Sequence, residues 1–143
     1  MLLIDVNILL LSYRNEIPGA DGIADWLTAV ARGSEAFSLP DTVWTGFVRI
    51  VTNRRVFENP ATVSEALDFV QSLRGRPNHV RLVPGRGHWQ VFDGLCRGTG
   101  VRGNLVPDAY LAALAIETGS ELITSDRGFG RYPGLRWRHP LVA

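Results

Sequence analysis

The first ten residues constrain the fold of this chain more than any other stretch, because Met1–Leu10 are almost wholly apolar. An apolar run bounded by polar residues is typical of a strand buried on both faces, as the central strands of parallel sheets are. Asp5 would follow the end of that strand, and ligands of open α/β sheets bind at the carboxyl ends of strands. Asp5 is therefore either a functional acid in such a crevice or the N-cap of the following helix.

Hydrophobic spacing predicts that strands and helices alternate along the rest of the chain. The predicted strands after the first are Ala36–Leu39, Val80–Val83, Glu121–Thr124 and Leu135–Trp137. The predicted helices are Val6–Leu11, Ile23–Ala31, 41–51, 62–73, His88–Arg97 and 107–118. No two strands have the spacing of a hairpin, so the pattern predicts an α/β fold with a parallel sheet.

Local signals sharpen four of these helices. Asp21 is the expected N-cap of the second helix, and Thr62 and Glu65 have the spacing of a capping box. Pro107 suits the first turn of the last helix, where its missing N–H costs nothing. Trp89 is expected on the inward face of the helix His88–Arg97.

Length and cysteine content narrow the class of protein. A chain of 143 residues fits one domain, which we expect to span residues 1–143. Cys96 is the only cysteine, which excludes an intramolecular disulfide and a cysteine-based zinc cluster and suits a reducing compartment. No apolar run approaches the ~20 residues of a membrane span, and the N-terminus lacks the basic region of a signal peptide. We therefore expect a cytoplasmic protein with no membrane partner.

Charge is unevenly distributed along the chain. The net charge is +1, but residues 1–70 hold 5 Arg and 9 acidic residues, a balance of −4. Residues 71–143 hold 10 Arg and 5 acidic residues, a balance of +5, and the chain has no Lys. Codon bias accounts for the absence of Lys, whereas the uneven distribution indicates an acidic partner for the second half.

Three carboxylates are expected at one edge of the sheet. Asp5 and Asp126 each follow a strand, and Asp108 lies at a helix start directly after a loop. Carboxylates that lie together raise each other's pKa unless a cation compensates. Oxygen ligands suit Mg²⁺ or Mn²⁺, which polarise a phosphoryl oxygen and activate a water for in-line attack. The alternative is that the three acids are separate helix caps or turn residues.

The C-terminal segment from Arg127 to Arg138 interleaves four Arg with three aromatic residues. Arg127 and Arg131 follow Asp126 closely and are candidates to hold a phosphodiester backbone. The aromatic residues could stack on unpaired bases, although Phe129 and Trp137 are more consistent with core residues and Tyr132 is left open. The three histidines have no metal-ligand spacing and are expected to be surface or hydrogen-bonded residues: His79, His88 and His139.

Several stretches together resemble the PIN-domain ribonucleases, in particular the VapC-type toxins of bacterial toxin–antitoxin pairs. Each stretch is short, but they occur in the right order from one end of the chain to the other. They are Leu3–Leu10, Phe47–Phe57, Asn104–Ala115, Thr124–Phe129 and Pro133–Trp137.

The resemblance implies a three-layer α/β/α domain with a central parallel sheet of four to five strands. It also implies a homodimer that cleaves RNA endonucleolytically with Mg²⁺ or Mn²⁺ and is inhibited by a cognate VapB-type antitoxin bound over the acidic cleft. Asp5, Asp108 and Asp126 would carry over as catalytic residues and metal ligands. Asn7 and Ser125 would orient the ligands or a water.

The chain departs from the family pattern at two positions. Gly46 stands where the family usually has Glu, and Gly128 stands where many members have a further Asp. Three carboxylates can still hold one Mg²⁺, because this ion retains several waters. Asp41 is a weak candidate to replace the missing acid and is more consistent with a helix cap.

Two other functions remain open from the sequence. One is a catalytically impaired PIN domain, with Gly46 in place of the acid, that acts as an RNA-binding or regulatory module. The other is a nucleotide-binding α/β domain, although the chain lacks a phosphate-binding loop. Three further aromatic residues are candidates for a dimer interface: Trp44, Phe57 and Phe69.

Overall fold

Four short parallel strands form the central sheet of the computed structural model, which describes residues 1–142. The strands are β1 (Leu2–Ile4), β2 (Phe37–Ser38), β3 (Glu121–Ile123) and β4 (Trp137–Arg138). Their order is β2-β1-β3-β4. In the register of β1, Leu2 pairs with Phe37 on one side and with Glu121 on the other. The parallel α/β sheet predicted from the sequence is confirmed.

Six α-helices surround the sheet, and two short 3₁₀ segments cover Gly103–Leu105 and Arg127–Arg131. The helices are α1 (Val6–Tyr13), α2 (Ile23–Arg32), α3 (Asp41–Val51), α4 (Val63–Arg74), α5 (His88–Thr99) and α6 (Val106–Thr118). Within residues 1–142, none of them is both long and apolar enough to cross a bilayer.

The helices divide into two packed groups. Helix α1 packs on α2 and α3, and α3 packs on α4, whereas α5 packs on α6. The chain moves from β1 outward to β2 and then back past β1 to β3, so its crossovers run in opposite directions across the sheet. Crossovers between parallel strands are right-handed in nearly all proteins. Right-handed crossovers that run in opposite directions place their helices on opposite faces of the sheet. The three-layer α/β/α architecture is thereby confirmed.

Helix α6 is apolar on nearly all sides because it lies in the core. Its buried residues include Ala109 and the run Leu111–Ala115. A helix that is hydrophobic all round is typical of a buried element. The first turn of α6, which carries Asp108, is therefore held on a rigid support.

The prediction of a strand at Val80–Val83 is wrong. Only His79 forms a β-bridge, with Phe37, and the Val80 N–H donates to the Phe37 carbonyl at 2.8 Å. Strand β2 has two residues and ends before Pro40, whose nitrogen cannot donate, so it offers little edge for a longer ladder. The apolar composition of this stretch predicted a buried strand, but Val80 and Val83 are exposed.

Three further local predictions need correction. Helix α2 is capped by Gly22, with φ of +81°, and not by Asp21. Asp41 makes no capping hydrogen bond and instead accepts from Trp44 Nε1 and from Arg81. Trp89 is 68% exposed, so it does not face inward.

The capping box at Thr62 and Glu65 is confirmed in both of its hydrogen bonds. The last strand begins at Trp137 rather than at Leu135.

The three candidate interface aromatics pack within the chain. Phe69 lies edge-on to Tyr13 with ring centroids 5.0 Å apart, and Phe57 lies beneath the Arg14 guanidinium at 4.4 Å. Trp44 is half-buried below Arg74. Their apolar character is explained by this packing, and the homodimer stays a prediction.

Candidate active site

The strand order places the candidate site between β1 and β3. From β1 the chain goes to β2 on one side and returns to β3 on the other, so the topology reverses at this point. Ligands of open α/β sheets bind at such a switch point, outside the carboxyl ends of the strands. Asp5 directly follows β1, and Thr124–Asp126 directly follow β3.

Asp5 is both a helix cap and a buried acid at the switch point of the sheet. Its Oδ1 accepts from the Val6 backbone N–H at 2.7 Å, which caps α1. Its Oδ2 accepts from Asn7 Nδ2 at 2.8 Å and from the Thr124 hydroxyl at 2.7 Å. The side chain is held in one orientation by these three bonds, and the residue is only 4% exposed. The two interpretations that the sequence left open are therefore compatible.

Thr124 connects the acidic residues that follow the two strands. Its hydroxyl oxygen donates to Asp5 and accepts from Asn7 Nδ2 and from the Asp126 backbone N–H, both at 3.0 Å. Asn7 Oδ1 in turn accepts from the Ser125 backbone N–H at 3.1 Å. Thr124 is fully buried, and it was not among the site residues predicted from the sequence. A polar residue at the carboxyl end of a buried strand is the signal that could have identified it.

Asp108 and Asp126 are held more loosely than Asp5. Asp108 lies in the first turn of α6, where the positive end of the helix dipole favours a carboxylate. Asp108 is half-buried, and no hydrogen bond from residues 1–142 affects its pKa. Asp126 is exposed, and its Oδ1 accepts from the Gly128 backbone N–H at 2.7 Å.

The three carboxylates lie close enough to act on each other electrostatically. Burial, followed by smaller contributions from Asp108 and Asp126, raises the pKa of Asp5 to about 6, and its hydrogen bonds to Thr124 and Val6 oppose this rise. Burial and then Asp126 raise the pKa of Asp108, while Arg131 lowers it. The predicted juxtaposition of acids therefore produces the mutual repulsion that a cation would relieve.

Asp5 and Asp108 line the same open cleft, which has a volume of about 390 Å³. Gly46, Arg49 and Asn104 also line it, whereas Asp126 does not. Arg49 and Asn104 were not among the site residues predicted from the sequence. Arg49 follows Gly46 by three residues on α3, and this spacing, which places both on one helix face, is the signal that could have identified it.

The two glycines at the positions where the resemblance implies an acid have different surroundings. A Cβ built at Gly46 would contact only Val6, at 3.6 Å, so a larger side chain fits in the cleft. A Cβ at Gly128 would lie 2.9 Å from Asp126 Oδ1 and 3.0 Å from Arg131. A side chain at Gly128 would therefore require the ends of the Asp126 and Arg131 side chains to move, whereas a Cβ at Gly46 requires no such movement.

The donor set of the cleft fits a hard divalent ion that keeps several waters. Within residues 1–142, no group of three or more His, Cys, Asp or Glu side chains is arranged to hold a metal ion. Asp5 and Asp108 nevertheless provide carboxylate oxygens. Asp5 Oδ1 accepts a single hydrogen bond and so keeps a lone pair for an ion. Mg²⁺ is commonly held by one or two carboxylates together with waters and substrate phosphate.

The two arginines predicted to hold RNA lie in different places. Arg131 acts electrostatically on Asp108 and is tied to the turn by a bond from its Nε to the Gly128 carbonyl at 2.8 Å. Arg127 instead lines a separate cavity together with Asn7 and Ser125.

The aromatic residues of the C-terminal segment belong to the packed interior. Phe129 and Tyr132 are 1% and 3% exposed, and the Tyr132 hydroxyl donates to the Leu105 carbonyl at 3.3 Å. Trp137 is half-buried against the core. The core interpretation is therefore confirmed for Phe129 and extends to Tyr132, so neither side chain is free to stack on a base.

The fold and the site together define an α/β protein with an acidic cleft at the switch point of a parallel sheet. The family model for the PIN domain matches residues 2–135. The chain therefore belongs to the PIN domain family.

Relatives in this family extend over nearly the whole chain. VapC ribonuclease Mb2897 of Mycobacterium bovis is 41% identical over 141 residues, which cover 99% of this chain and 96% of the relative. Ribonuclease VapC25 of Mycobacterium tuberculosis is 35% identical over 142 residues, which cover 99% of this chain and 100% of the relative.

Solved structures resemble the fold at low sequence identity. VapBC2 from Rickettsia felis, bound to a DNA fragment from its promoter, gives a TM-score of 0.69 at 15% identity, covering 96% of this chain and 97% of the other. FitAcB from Neisseria gonorrhoeae gives a TM-score of 0.66 at 18% identity, covering 98% of both chains.

Proposed function

We propose that this protein is the toxin of a VapBC-type toxin–antitoxin pair and acts as a metal-dependent endoribonuclease. The observation that carries the proposal is the acidic cleft, which Asp5 and Asp108 both line and in which Asp126 acts on both electrostatically. Relatives at up to 41% identity over nearly the full chain are named ribonucleases. The cleft supplies the kind of oxygen ligands that phosphodiester hydrolysis with a divalent ion uses.

In this proposal, Asp5 and Asp108 hold one Mg²⁺ or Mn²⁺, and Asp126 completes the set or positions the attacking water. When bound, the ion supplies polarisation of a phosphoryl oxygen and activation of water for in-line attack. Asp5 must be ionised to serve as a ligand, and its raised pKa of about 6 means that this condition is met only above mildly acidic pH.

Other residues orient the acids and hold the substrate. Thr124 and Asn7 fix the Asp5 carboxylate by donating to its Oδ2. Arg49, which also lines the cleft, forms no ion pair with residues 1–142 and is available to contact a phosphate. Arg131 lies near Asp108 and, like Arg49, contacts the phosphodiester backbone of the RNA.

The proposal includes a protein partner and a place in the cell. A VapB-type antitoxin would inhibit the enzyme by covering the acidic cleft, and solved structures of the same fold include VapBC and FitAB complexes. A homodimer and a cytoplasmic location complete the proposal. The free thiol of Cys96 suits such a reducing compartment.

The experiment that tests this proposal is cleavage of total cellular RNA by the purified protein without its partner. Mg²⁺, Mn²⁺ and a chelator are compared, with Asp5→Asn as the active-site variant. The matched control is Asp68→Asn, which removes the same charge from an exposed position on α4. Discrete fragments that require both metal and Asp5 are expected. Equal cleavage with chelator, or by a folded Asp5→Asn variant, would contradict the proposal.

One observation favours a second function, an RNA-binding or regulatory module without catalysis. Gly46 lines the cleft and contributes no carboxylate there. This alternative predicts that the folded protein binds RNA with strong salt dependence but cleaves it with neither metal.

A further inference from the structure

A second cavity lies at the same edge of the sheet as the acidic cleft. It has a volume of about 510 Å³ and is bounded by α1, by the loop between α1 and α2, and by the segments that follow β3 and β4. Its apolar wall includes Leu10, Ile17 and Pro18. Arg127 and His139 also line it, so the cavity joins an apolar surface to a cation and an imidazole.

The cavity is continuous with the carboxylate network. Asn7 and Ser125 line the cavity, and the Ser125 backbone N–H donates to Asn7 Oδ1 at 3.1 Å. The same Asn7 side chain donates through Nδ2 to Asp5 Oδ2 at 2.8 Å. A group bound in the cavity would therefore lie one side chain away from the buried acid of the candidate active site.

Three polar groups around this cavity are free to bind a ligand. The Arg127 guanidinium and the Ser125 hydroxyl make no hydrogen bond with residues 1–142. His139 Nδ1 accepts from the Leu141 backbone N–H at 3.2 Å, so the neutral ring carries its proton on Nε2 and keeps a donor. These groups make up a planar cation, a hydroxyl and a ring N–H beside an apolar wall.

We propose that this cavity binds one unstacked nucleobase of the RNA substrate, next to the phosphodiester that the carboxylates attack. An apolar wall suits the faces of a base, while Arg and His stack on bases or bind their edges. A phosphate would not need the apolar wall formed by Leu10, Ile17 and Pro18. The inference rests on the proposed ribonuclease function and deepens it, because it assigns Arg127 to base recognition and not to the backbone contact predicted from the sequence.

The first test measures binding of small probes by NMR without metal, so it does not depend on cleavage. The probes are the four nucleoside 5′-monophosphates, with ribose 5-phosphate as the base-free control. We expect the nucleotides to shift the resonances of Arg127, Ser125 and His139, by different amounts for different bases. Equal shifts with ribose 5-phosphate, or no shifts with any nucleotide, would overturn the proposal.

The second test uses variants matched for charge. Arg127→Gln should weaken nucleotide binding about tenfold, the effect of losing one charge-assisted contact. The control Arg86→Gln removes the same charge from an exposed loop, which lies against Glu117 at the opposite end of α6 from Asp108. Equal weakening by both variants would mean that only net charge matters and would overturn the proposal.

The cleavage pattern separates this inference from the proposed function. If the wild-type protein cleaves RNA, Arg127→Gln and His139→Ala should relax the preference for one nucleotide beside the cut, whereas Arg86→Gln should not. An unchanged preference in active variants would overturn the base-binding role and leave the ribonuclease proposal intact. If the wild-type protein does not cleave RNA, the ribonuclease proposal fails. The NMR experiment then determines whether the cavity binds a nucleobase.

Discussion

The acidic cleft and the second cavity share one edge of the sheet but differ in chemistry. The cleft lies between α3 and α6 and contains Asp5 and Asp108, whose pKa values are raised by burial and by other acids. The cavity lies between α1 and the segments after β3 and β4 and carries Arg127 beside apolar side chains. Asn7 connects the two sites, because it donates to Asp5 of the cleft and accepts from the Ser125 backbone N–H at the cavity. The difference suggests that this edge divides phosphodiester chemistry from base recognition.

The two acids of the cleft also differ from each other. Asp5 is held by three hydrogen bonds and is 4% exposed, whereas Asp108 is half-buried and relies on the start of α6 for its position. A fixed carboxylate beside a more adaptable one suits an ion whose remaining ligands are waters and substrate. Substitutions in each part of the site test whether the two carboxylates differ in this way.

The largest expected effect follows from Asp108→Asn. Loss of one of the two carboxylates that line the cleft should lower the cleavage rate by about three orders of magnitude. The reason is that a bound metal ion stabilises the transition state by several kcal/mol. RNA affinity should be retained, since the change removes a negative charge that faces phosphate. Single-turnover cleavage and RNA binding should be measured together, with Asp68→Asn as control. A rate within tenfold of wild type would remove Asp108 from the catalytic set.

Thr124→Val tests the network that fixes Asp5. The variant keeps the volume but removes the donor to Asp5 and the acceptor of two N–H groups, from Asn7 and Asp126. We expect a 10- to 100-fold loss of activity, roughly as for residues that orient metal ligands, and a stability loss of about 1–3 kcal/mol.

The pH profile distinguishes this orienting role from a merely structural one. The Thr124 hydroxyl lowers the pKa of Asp5, so its removal should raise that pKa further above about 6. The acid limb of kcat/KM should then move to higher pH in Thr124→Val, while Thr124→Ser stays close to wild type. An unmoved acid limb would show that Thr124 does not control the ionisation of Asp5.

Gly46→Glu asks whether the cleft can accept a further acid. The open space around Gly46 admits the side chain, and an added carboxylate should tighten Mn²⁺ binding about tenfold or less. Gly46→Gln adds a similar side chain without the charge, and both variants should stabilise α3 by up to about 1 kcal/mol. Mn²⁺ titration should separate the two, and identical affinities would argue that Gly46 is remote from the ion.

The fourth prediction concerns a pH-dependent change in melting temperature. The folded pKa of Asp5 is raised above its unfolded value, so the metal-free protein should lose stability as pH rises from about 4 to about 6. Mg²⁺ at about 100 times its Kd should restore about 2.7 kcal/mol, or roughly 5–10 °C, near pH 7.5. The increase should be smaller near pH 5, where Asp5 is largely protonated. Equal increases at both pH values would contradict Asp5 as a ligand.

The central strand and the acids around it could be predicted because their signals are local. An unbroken apolar run places β1, and the polar residue at its end is Asp5. Pro107 marks the first turn of α6 and so locates Asp108. Parallel topology then brings these residues to one edge without further information.

The remaining errors come from tertiary context that no local pattern contains. Val80 and Val83 have the composition of a strand, but the neighbouring strand has two residues and both valines are exposed. Arg49 enters the cleft and Arg127 lines the cavity because of how α3 and the segment after β3 pack, which spacing along the chain does not specify.

Measurement of Mn²⁺ binding by electron paramagnetic resonance tests whether Asp5 and Asp108 form a metal centre. At about pH 7.5 the wild-type protein should bind Mn²⁺, and binding should be lost in Asp5→Asn and Asp108→Asn but kept in Asp68→Asn. Circular dichroism of each variant establishes that it is folded. Undiminished Mn²⁺ binding in both folded active-site variants would contradict the assignment of the acidic cleft as a metal centre.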